Sequence, residues 1–424
     1  MAPKYAPSLR ARLPPLAFLL QVAFIVIFAF CVKIEDDGKD KGEAFIYSYA
    51  KFQDIHVMVF LGFGFLGTFL VRYGFSSSAF SLLVAAMAVQ WATILKGFLL
   101  SHSLTWKFGI QLRSLLDAEL CAASTLVAMG TVHGKTNPVQ LLIFGLIEVT
   151  GFVLNQWIIQ TFQRPLLQVF QTETQTPWLY SIVLINIFGA LFGMITSHLL
   201  FRNNMQQKHE KEKVDRRSGL FAMFGTLFLW MFWPSLNSVL ELNVTVICST
   251  YLALAVSAVT AMAVSALCSS KGKINLVHVQ NSLLSGGIAV GAVVTAPLAP
   301  WIAMTIGLCA TLLSTLGFRY LKKHMLFAFD CHDTLGVLCA HALPGILGWF
   351  AQLILRLSRI SHSTVAVRFA VHHICILLIT VCVSLVMGII TGIILKWSFW
   401  KPQRDNKCYD DQAYWEFPHL LVDK

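Results

Sequence analysis

Charge is what this chain of 424 residues has least of. Only 12% of its residues are Asp, Glu, Lys or Arg, about half of the roughly 25% usual in a soluble domain. That excludes an ordinary water-soluble fold. The ten cysteines are scattered, with no Cys-x-x-Cys pair and no metal-ligand spacing, so neither a thiol-held metal nor a disulfide framework is expected. Cys121, Cys248, Cys309, Cys375 and Cys382 lie inside apolar runs, where cysteine behaves as a small hydrophobe. There is no Walker or other Gly-rich nucleotide loop, no nucleophile elbow and no His-Glu-x-x-His. Nothing pairs a nucleophile with a base. An enzyme is therefore not expected, nor a cofactor.

What is present in excess is apolar: 56% hydrophobic residues, 32 Phe and a mean hydropathy of +0.68. This is the composition of a polytopic membrane protein, with aromatics for lipid-facing surfaces and interfacial belts. The net charge of +11 does not imply a nucleic-acid partner, because the basic residues fall in short loops between apolar runs. A spanning helix needs roughly 20 apolar residues, and twelve runs meet that need, at about 13–33, 55–73, 77–98, 112–131, 138–160, 178–201, 218–238, 245–267, 275–295, 299–318, 335–355 and 370–396. The chain divides into an amino-terminal segment 1–12, a twelve-helix body 13–396 and a tail 397–424. The first apolar run, Leu16 to Val32, is long and lacks a clear small-residue cleavage site, so it reads as a retained signal-anchor helix.

Orientation follows from Lys and Arg in short loops. Lys4, Arg10 and Arg12, the basic connection from Arg202 to Arg217, Lys271 and Lys273, and Arg319, Lys322 and Lys323 all fall on one side, which places both termini in the cytoplasm. Arg356, Arg359 and Arg368 disagree and are outnumbered. The Arg202–Arg217 connection reads as a solvated linker able to touch anionic lipid. Lys33 to Asp54 reads as the longest external loop. The only Asn-x-Ser/Thr sequon, Asn243-Val-Thr245, abuts a helix, so its use is not expected.

One stretch organises the rest: Asp333-Thr-Leu-Gly-Val-Leu-Cys-Ala-His341-Ala-Leu-Pro-Gly-Ile-Leu-Gly-Trp349. It reads as an apolar helix with one imidazole at mid-membrane depth. Asp333 lies just over two turns earlier on roughly the same side. Pro344, Gly345 and Gly348 let neighbouring helices approach. An ionisable group within a bilayer is costly and is a functional candidate by default; the alternative reading is a buried histidine bonded to a neighbouring helix. Other polar residues within the runs are Asp117, Glu119, Glu148, Asn155, Asn186, Asn237, His278 and Asn281. Glu148 reads as a hydrogen-bonding group toward a neighbouring helix or subunit. Gly286, Gly287 and Gly291 read as a close-packing seam. By spacing alone, a pairing of Asn186 in the sixth run with His341 in the eleventh is weak.

Several strings together resemble the Rh branch of the ammonium transporter superfamily: Gly62-Phe-Gly-Phe-Leu, Val89-Gln-Trp-Ala, Gly134-Lys-Thr-Asn-Pro-Val-Gln-Leu-Leu, Phe188-Gly-Ala-Leu-Phe-Gly193, Leu229-Trp-Met-Phe-Trp-Pro-Ser-Leu-Asn-Ser238, Val277-His-Val-Gln-Asn281 with Gly286-Gly-Ile-Ala-Val-Gly291, and the tail from Asp410 to Leu420. They run in family order over essentially the whole chain. Met-Ala-Pro-Lys-Tyr at the amino terminus and the tail are most similar to the blood-group (D/CE-type) group of that branch. The resemblance implies an all-α membrane protein with twelve transmembrane helices, the ammonium-transporter fold with inverted repeats, and a trimer in which each subunit has its own apolar pore. In transporting members two histidines from inverted halves line that pore, phenylalanines gate its outer mouth, and an aspartate eight residues before each histidine supports it. Here Asp333 and His341 match the second half. The first half departs, with Asn186 at the histidine position and Trp178 at the aspartate. Leu120 and Leu236 stand at the gate positions. The resemblance further implies ammonia, ammonium or carbon dioxide as permeants. It also implies assembly with the Rh-associated glycoprotein and homologous subunits in red-cell membranes, and a tail that contacts the membrane skeleton (ankyrin). Arg12-Leu13-Pro14 replaces the branch's Cys-Leu-Pro acylation motif, so palmitoylation there is not expected.

Overall fold

A computed structural model describes residues 9–35, 43–99, 107–170, 181–201, 212–214, 216–239, 243–293, 299–403 and 407–416. Among them, eleven helices are long and apolar enough to cross a membrane. They are helices because hydrocarbon offers no partner for a free N–H or C=O, and the helix is the way one segment satisfies its own backbone. In chain order they begin with α1 (Leu13–Cys31), α2 (Glu43–Val57, continued by a wide π-type turn Met58–Phe63 and Gly64–Leu66), α3 (Gly74–Leu99), α4 (Leu112–Val132), α5 (Pro138–Phe170), α6 (Ser181–Leu199), α7 (Arg216–Asn237) and α8 (Val244–Leu267). After a two-part helix come α9 (Pro300–Leu316, continuing through Gly317–Leu321 and Lys322–Phe329), α10 (Leu343–Leu357, entered through the π-type turn Leu338–Ala342) and α11 (Ser363–Lys396).

The expected ninth span, 275–295, is broken. It forms Leu276–Ser282 and Ser285–Gly291, separated by Leu283 and Leu284. One hydroxyl meets a carbonyl at the break, and others join it to α9. Ser285 Oγ donates to Ser282 O (2.7 Å) and to Thr311 Oγ1 (3.0 Å), and Ser282 lies 3.2 Å from Ser314 on α9. Side-chain hydroxyls compete with helical bonds in this way, which a hydropathy count does not register. The glycines do form a tight seam. A Cβ on Gly286 would lie 2.2 Å from Ser257 Oγ of α8, and one on Gly291 2.7 Å from Asn237 Oδ1 of α7.

The second helix differs from its expected bounds of 55–73. Of the expected outer loop Lys33–Asp54, the part from Glu43 onward is already helical. Lys51 and Asp54 depress the apolar count there, yet Phe45, Tyr49, Phe52 and His56 stack along one face at i, i+3 and i+4 spacing. A short parallel ladder, Val32–Ile34 on Phe108–Ile110, ties the end of α1 to the chain just before α4 and was not expected.

Several polar groups within the spans bond between helices. Glu148 accepts from Ser124 Oγ (2.6 Å) and from Thr125 Oγ1, both on α4. Asn155 donates to Thr380 Oγ1 (3.3 Å), and Asn237 to Thr250 Oγ1 (3.1 Å) and Gly287 O (2.9 Å). Asn243 Oδ1 accepts from Thr245 N (2.9 Å) and caps α8. All ten cysteines are free.

The closest approach of a glycine to another segment's backbone is where α10 meets the broken helix: a Cβ at Gly348 would fall 2.1 Å from the carbonyl oxygen of Ala289. Backbone cannot move aside as a flexible side chain can. Gly348→Val should therefore cost about 1–3 kcal/mol of overpacking, seen as a lowered unfolding midpoint in detergent. Gly64→Ala, at a helical φ of −57° with nothing within 4 Å of the added Cβ, serves as the milder comparison.

Candidate pore site

His341 is placed by three local features. The chain does not enter its helix at Asp333 as the apolar pattern implies; helix begins at Val337, and Asp333 stands in the turn before it. There Asp333 Oδ1 accepts from Gly336 N (2.8 Å) and Oδ2 from Leu338 N (2.9 Å). Asp333 thus serves the orphan donors of a helix start, as a capping residue does. Gly336 turns the chain with φ of 79°, a left-handed conformation that other residues adopt only under strain. Leu338–Ala342 then widens into a π-type turn, and Pro344, without an N–H, follows it.

His341 is only 2% exposed. Its Nδ1 lies 2.8 Å from Oδ1 of Asn186 on α6. Asn186 Nδ2 donates to Ile182 O (3.1 Å), which turns the amide so that its oxygen faces the ring. Nδ1 of His341 therefore carries the proton and donates, leaving Nε2 as the ring's acceptor. The ring of Phe63, closing the π-type turn of α2, sits 6.3 Å from the imidazole. Leu120 on α4 and Leu236 on α7 are buried in the same apolar cluster as Phe63, and both helices pack against Met58–Phe63. Of the expected pore residues the structure brings Asn186 and His341 together; Leu120 and Leu236 are buried on helices that pack against Met58–Phe63, Asp333 is the cap before the helix of His341, and Trp178 lies outside the described residues.

Two polar pairs flank the leucines, and both depend on α2. His56 Nδ1 lies 2.5 Å from Glu119 Oε1, next to Leu120, with the imidazole ring stacked against Phe52. Ser235 Oγ, next to Leu236, donates to Asp54 Oδ2 (2.6 Å). The sequence pointed to Glu119 but not to its partner.

At the basic end, a charged cluster closes the floor. Lys135 Nζ is buried and donates to Ser197 Oγ (2.8 Å) and to the carbonyl of His332 (2.5 Å). His332 Nε2 faces Glu212 Oε2 at 3.3 Å. Burial brings the Lys135 ammonium down to about 8, despite the nearby Asp333 and Glu212 charges. Burial would raise Glu212; the His332 hydrogen bond and the His332, Lys322 and Lys135 charges pull it below the usual carboxylate value instead. Sequence reasoning missed Lys135, Glu212 and His332. Lys135 belongs to the string Gly134-Lys-Thr-Asn-Pro, and His332 directly precedes Asp333, so both lie in or beside quoted strings. No group of three or more His, Cys, Asp or Glu among the described residues could hold a metal.

Residues 17–414 match the model of the Ammonium Transporter Family. The ammonium transporter Rh type A of Bos taurus is 39% identical over 427 residues, covering 97% of this chain and 96% of that protein. The ammonium transporter Rh type C of Homo sapiens is 36% identical over 450 residues, covering 97% and 91%. Among solved structures, Nitrosomonas europaea Rh50 is similar with a TM-score of 0.74 and 28% identity, covering 89% of this chain and 94% of that one.

Asp333→Ala should lose about 0.5–2 kcal/mol, the usual cost of an unfilled cap, read as a lower unfolding midpoint, with Asp333→Asn intermediate. Glu212 has a lowered folded value, so its stabilising effect is complete above the unfolded carboxylate pKa of about 4.3 and is lost as pH falls through the folded value. Glu212→Gln should flatten the acid limb of the midpoint-against-pH curve.

Proposed function

The chain belongs to the ammonium transporter family, transporters rather than enzymes, and on that premise we propose that it is a degenerate Rh-type subunit in which proton-coupled ammonium transport is lost and only neutral gas, ammonia or carbon dioxide, has a path. The observation that carries this reading is the 2.8 Å bond between His341 and Asn186. A bare cation pays a large dehydration cost in an apolar conduit, on the order of 20 kcal/mol in the idealised limit. Ammonium therefore has to leave its proton at the mouth and cross as ammonia. A second imidazole could pass that proton along, because imidazole binds and releases protons near neutrality. The amide of Asn186 donates and accepts hydrogen bonds but takes up no proton at ordinary pH. Its oxygen also fixes the proton of His341 on Nδ1, so the ring is held as a donor toward a group that cannot accept a proton.

Leu120 and Leu236 at the gate positions agree with this reading, since an aliphatic side chain offers a cation no π-face. Within the family, the amino terminus and the tail support a reading as a blood-group (D/CE-type) polypeptide. Its role is then assembly: a multi-pass protein of the erythroid plasma membrane, both termini cytoplasmic, in a trimer with the Rh-associated glycoprotein and homologous subunits. The tail is sewn to the bundle by Asp411, Tyr409 and Trp415, which supports its reading as a firm platform for the membrane skeleton (ankyrin). The second reading is a working ammonium transporter, favoured by the 39% identity to a protein of that name.

Liposome reconstitution separates the two. Wild-type protein should give no ammonium-driven current on a solid-supported membrane. Asn186→His should restore a measurable current, because a positioned proton-transfer group contributes about 10²-fold or more. Robust electrogenic flux in the wild type would overturn the proposal.

A further inference from the structure

Two polar side chains near the basic end are fully buried and unpaired. Ser77, in the first turn of α3, is 0% exposed, and His133, the first residue past α4, is 1% exposed. Ser77 Oγ and both ring nitrogens of His133 have no hydrogen-bond partner among the described residues. A neutral imidazole carries one donor and one acceptor, and a serine hydroxyl carries both. Leaving such groups open in a buried place costs about 1–3 kcal/mol each.

These open atoms converge on Gly67. A Cβ there would lie 2.8 Å from Ser77 Oγ and 2.9 Å from His133 Nε2. The two atoms are therefore less than 6 Å apart, a gap that one molecule crosses with two ordinary hydrogen bonds of about 2.8 Å. Gly67 has φ of −84°, open to any residue, so it is space and not backbone conformation that calls for glycine. The imidazole is held in place: Tyr73 meets it edge-on at 5.1 Å, and the His133 carbonyl accepts from Thr334 Oγ1 (3.1 Å).

The site carries no formal charge. Burial, and then the Lys135 ammonium two residues on, bring His133 down to about 4, so the ring is neutral at pH 7. The same ammonium disfavours a cation here. Lys135 is itself turned to Ser197 and the His332 carbonyl, which leaves it no free donor for an anion at Gly67. The fitting occupant is small, neutral, and able to donate and accept at once.

The site also lies close to the central pair. Gly67 follows Phe63, whose ring meets His341, by four residues, about 6 Å of helix. His133 follows Gly130 by three, and a Cβ on Gly130 would touch Val337, one turn before His341.

We propose that Gly67, Ser77 and His133 form a site for one small neutral molecule that both donates and accepts hydrogen bonds, water or ammonia, on the basic side of His341. Naming ammonia rests on the neutral-gas reading above; the site itself stands on these three residues.

The test uses the full chain, with ¹⁵N-labelled histidine, in lipid bilayers studied by solid-state NMR. The His133 ring signals are those lost in His133→Phe. Protons of bound water should transfer magnetisation to His133 Nε2. Gly67→Ala should abolish that contact by filling the space, with the His341 ring signals in place. Ser77→Ala, which crowds nothing, should weaken it and carries the test should Gly67→Ala not fold. Ammonium chloride added at pH 8.5, against sodium chloride, should shift Nε2 saturably if ammonia takes the place of water. A water contact with no such shift keeps the site and assigns it to water alone, whatever the liposome flux shows. Absence of both the water contact and the ammonium response would overturn the site, as would a contact that survives Gly67→Ala and Ser77→Ala.

Discussion

Inside the hydrocarbon layer no water waits to satisfy a stray N–H or C=O, and each such group left open costs several kcal/mol. The departures from plain helix in this protein answer to that constraint. Where the 276–291 segment breaks, Ser285 Oγ donates to the carbonyl of Ser282 and Ser257 Oγ accepts from Gly286 N. Where the chain turns into the helix of His341, the carboxylate of Asp333 takes two backbone donors. Glu148, buried at 0% exposure, is met by two hydroxyls of α4. Small residues make this possible: Gly286, Gly291 and Gly348 bring backbones close enough for short polar side chains to reach across.

The same accounting shapes the centre of the molecule. A buried imidazole needs a partner, and here that partner is an amide. The structural demand is fully met, because Asn186 accepts from His341 and donates to its own helix. The chemical capacity is not equal, because an amide bonds without titrating. A fold can therefore keep its packing while its transport chemistry declines. The two π-type turns bracket this point. One carries Phe63 and the other His341, and their rings meet at 6.3 Å.

The basic end is organised differently, around charge rather than apolar contact. Lys135 links α4 to the loop before His341, and Glu212 brings in the linker. The tail lies over the start of α3, where Trp415 Nε1 donates to Ser76 Oγ (2.9 Å) and Asp411 caps the helix. Tyr409 N donates to Gly134 O (2.9 Å), beside Lys135. Tail, linker and pore-helix cap thus form one connected layer.

Hydropathy alone determined the membrane class and most of the bounds of the eleven spans, because burial in lipid is a property of each run by itself. It misjudged Glu43–Asp54, where charges mask an aromatic helix face, and it drew 275–295 as one rod, because serine hydroxyls do not register as breaks. His341 and Glu148 stood out as costly groups in apolar runs, yet nothing local named the partners they meet. Asn186 lies 155 positions from His341, Glu119 lies 63 from His56, and Lys135 lies 197 from His332. The correspondence of Asn186 with His341 came from resemblance; the hydrogen bond between them is a tertiary contact. Only the tertiary structure decided which polar groups pair, because pairing follows from how whole helices cross, and periodicity within any one helix carries no record of its neighbour.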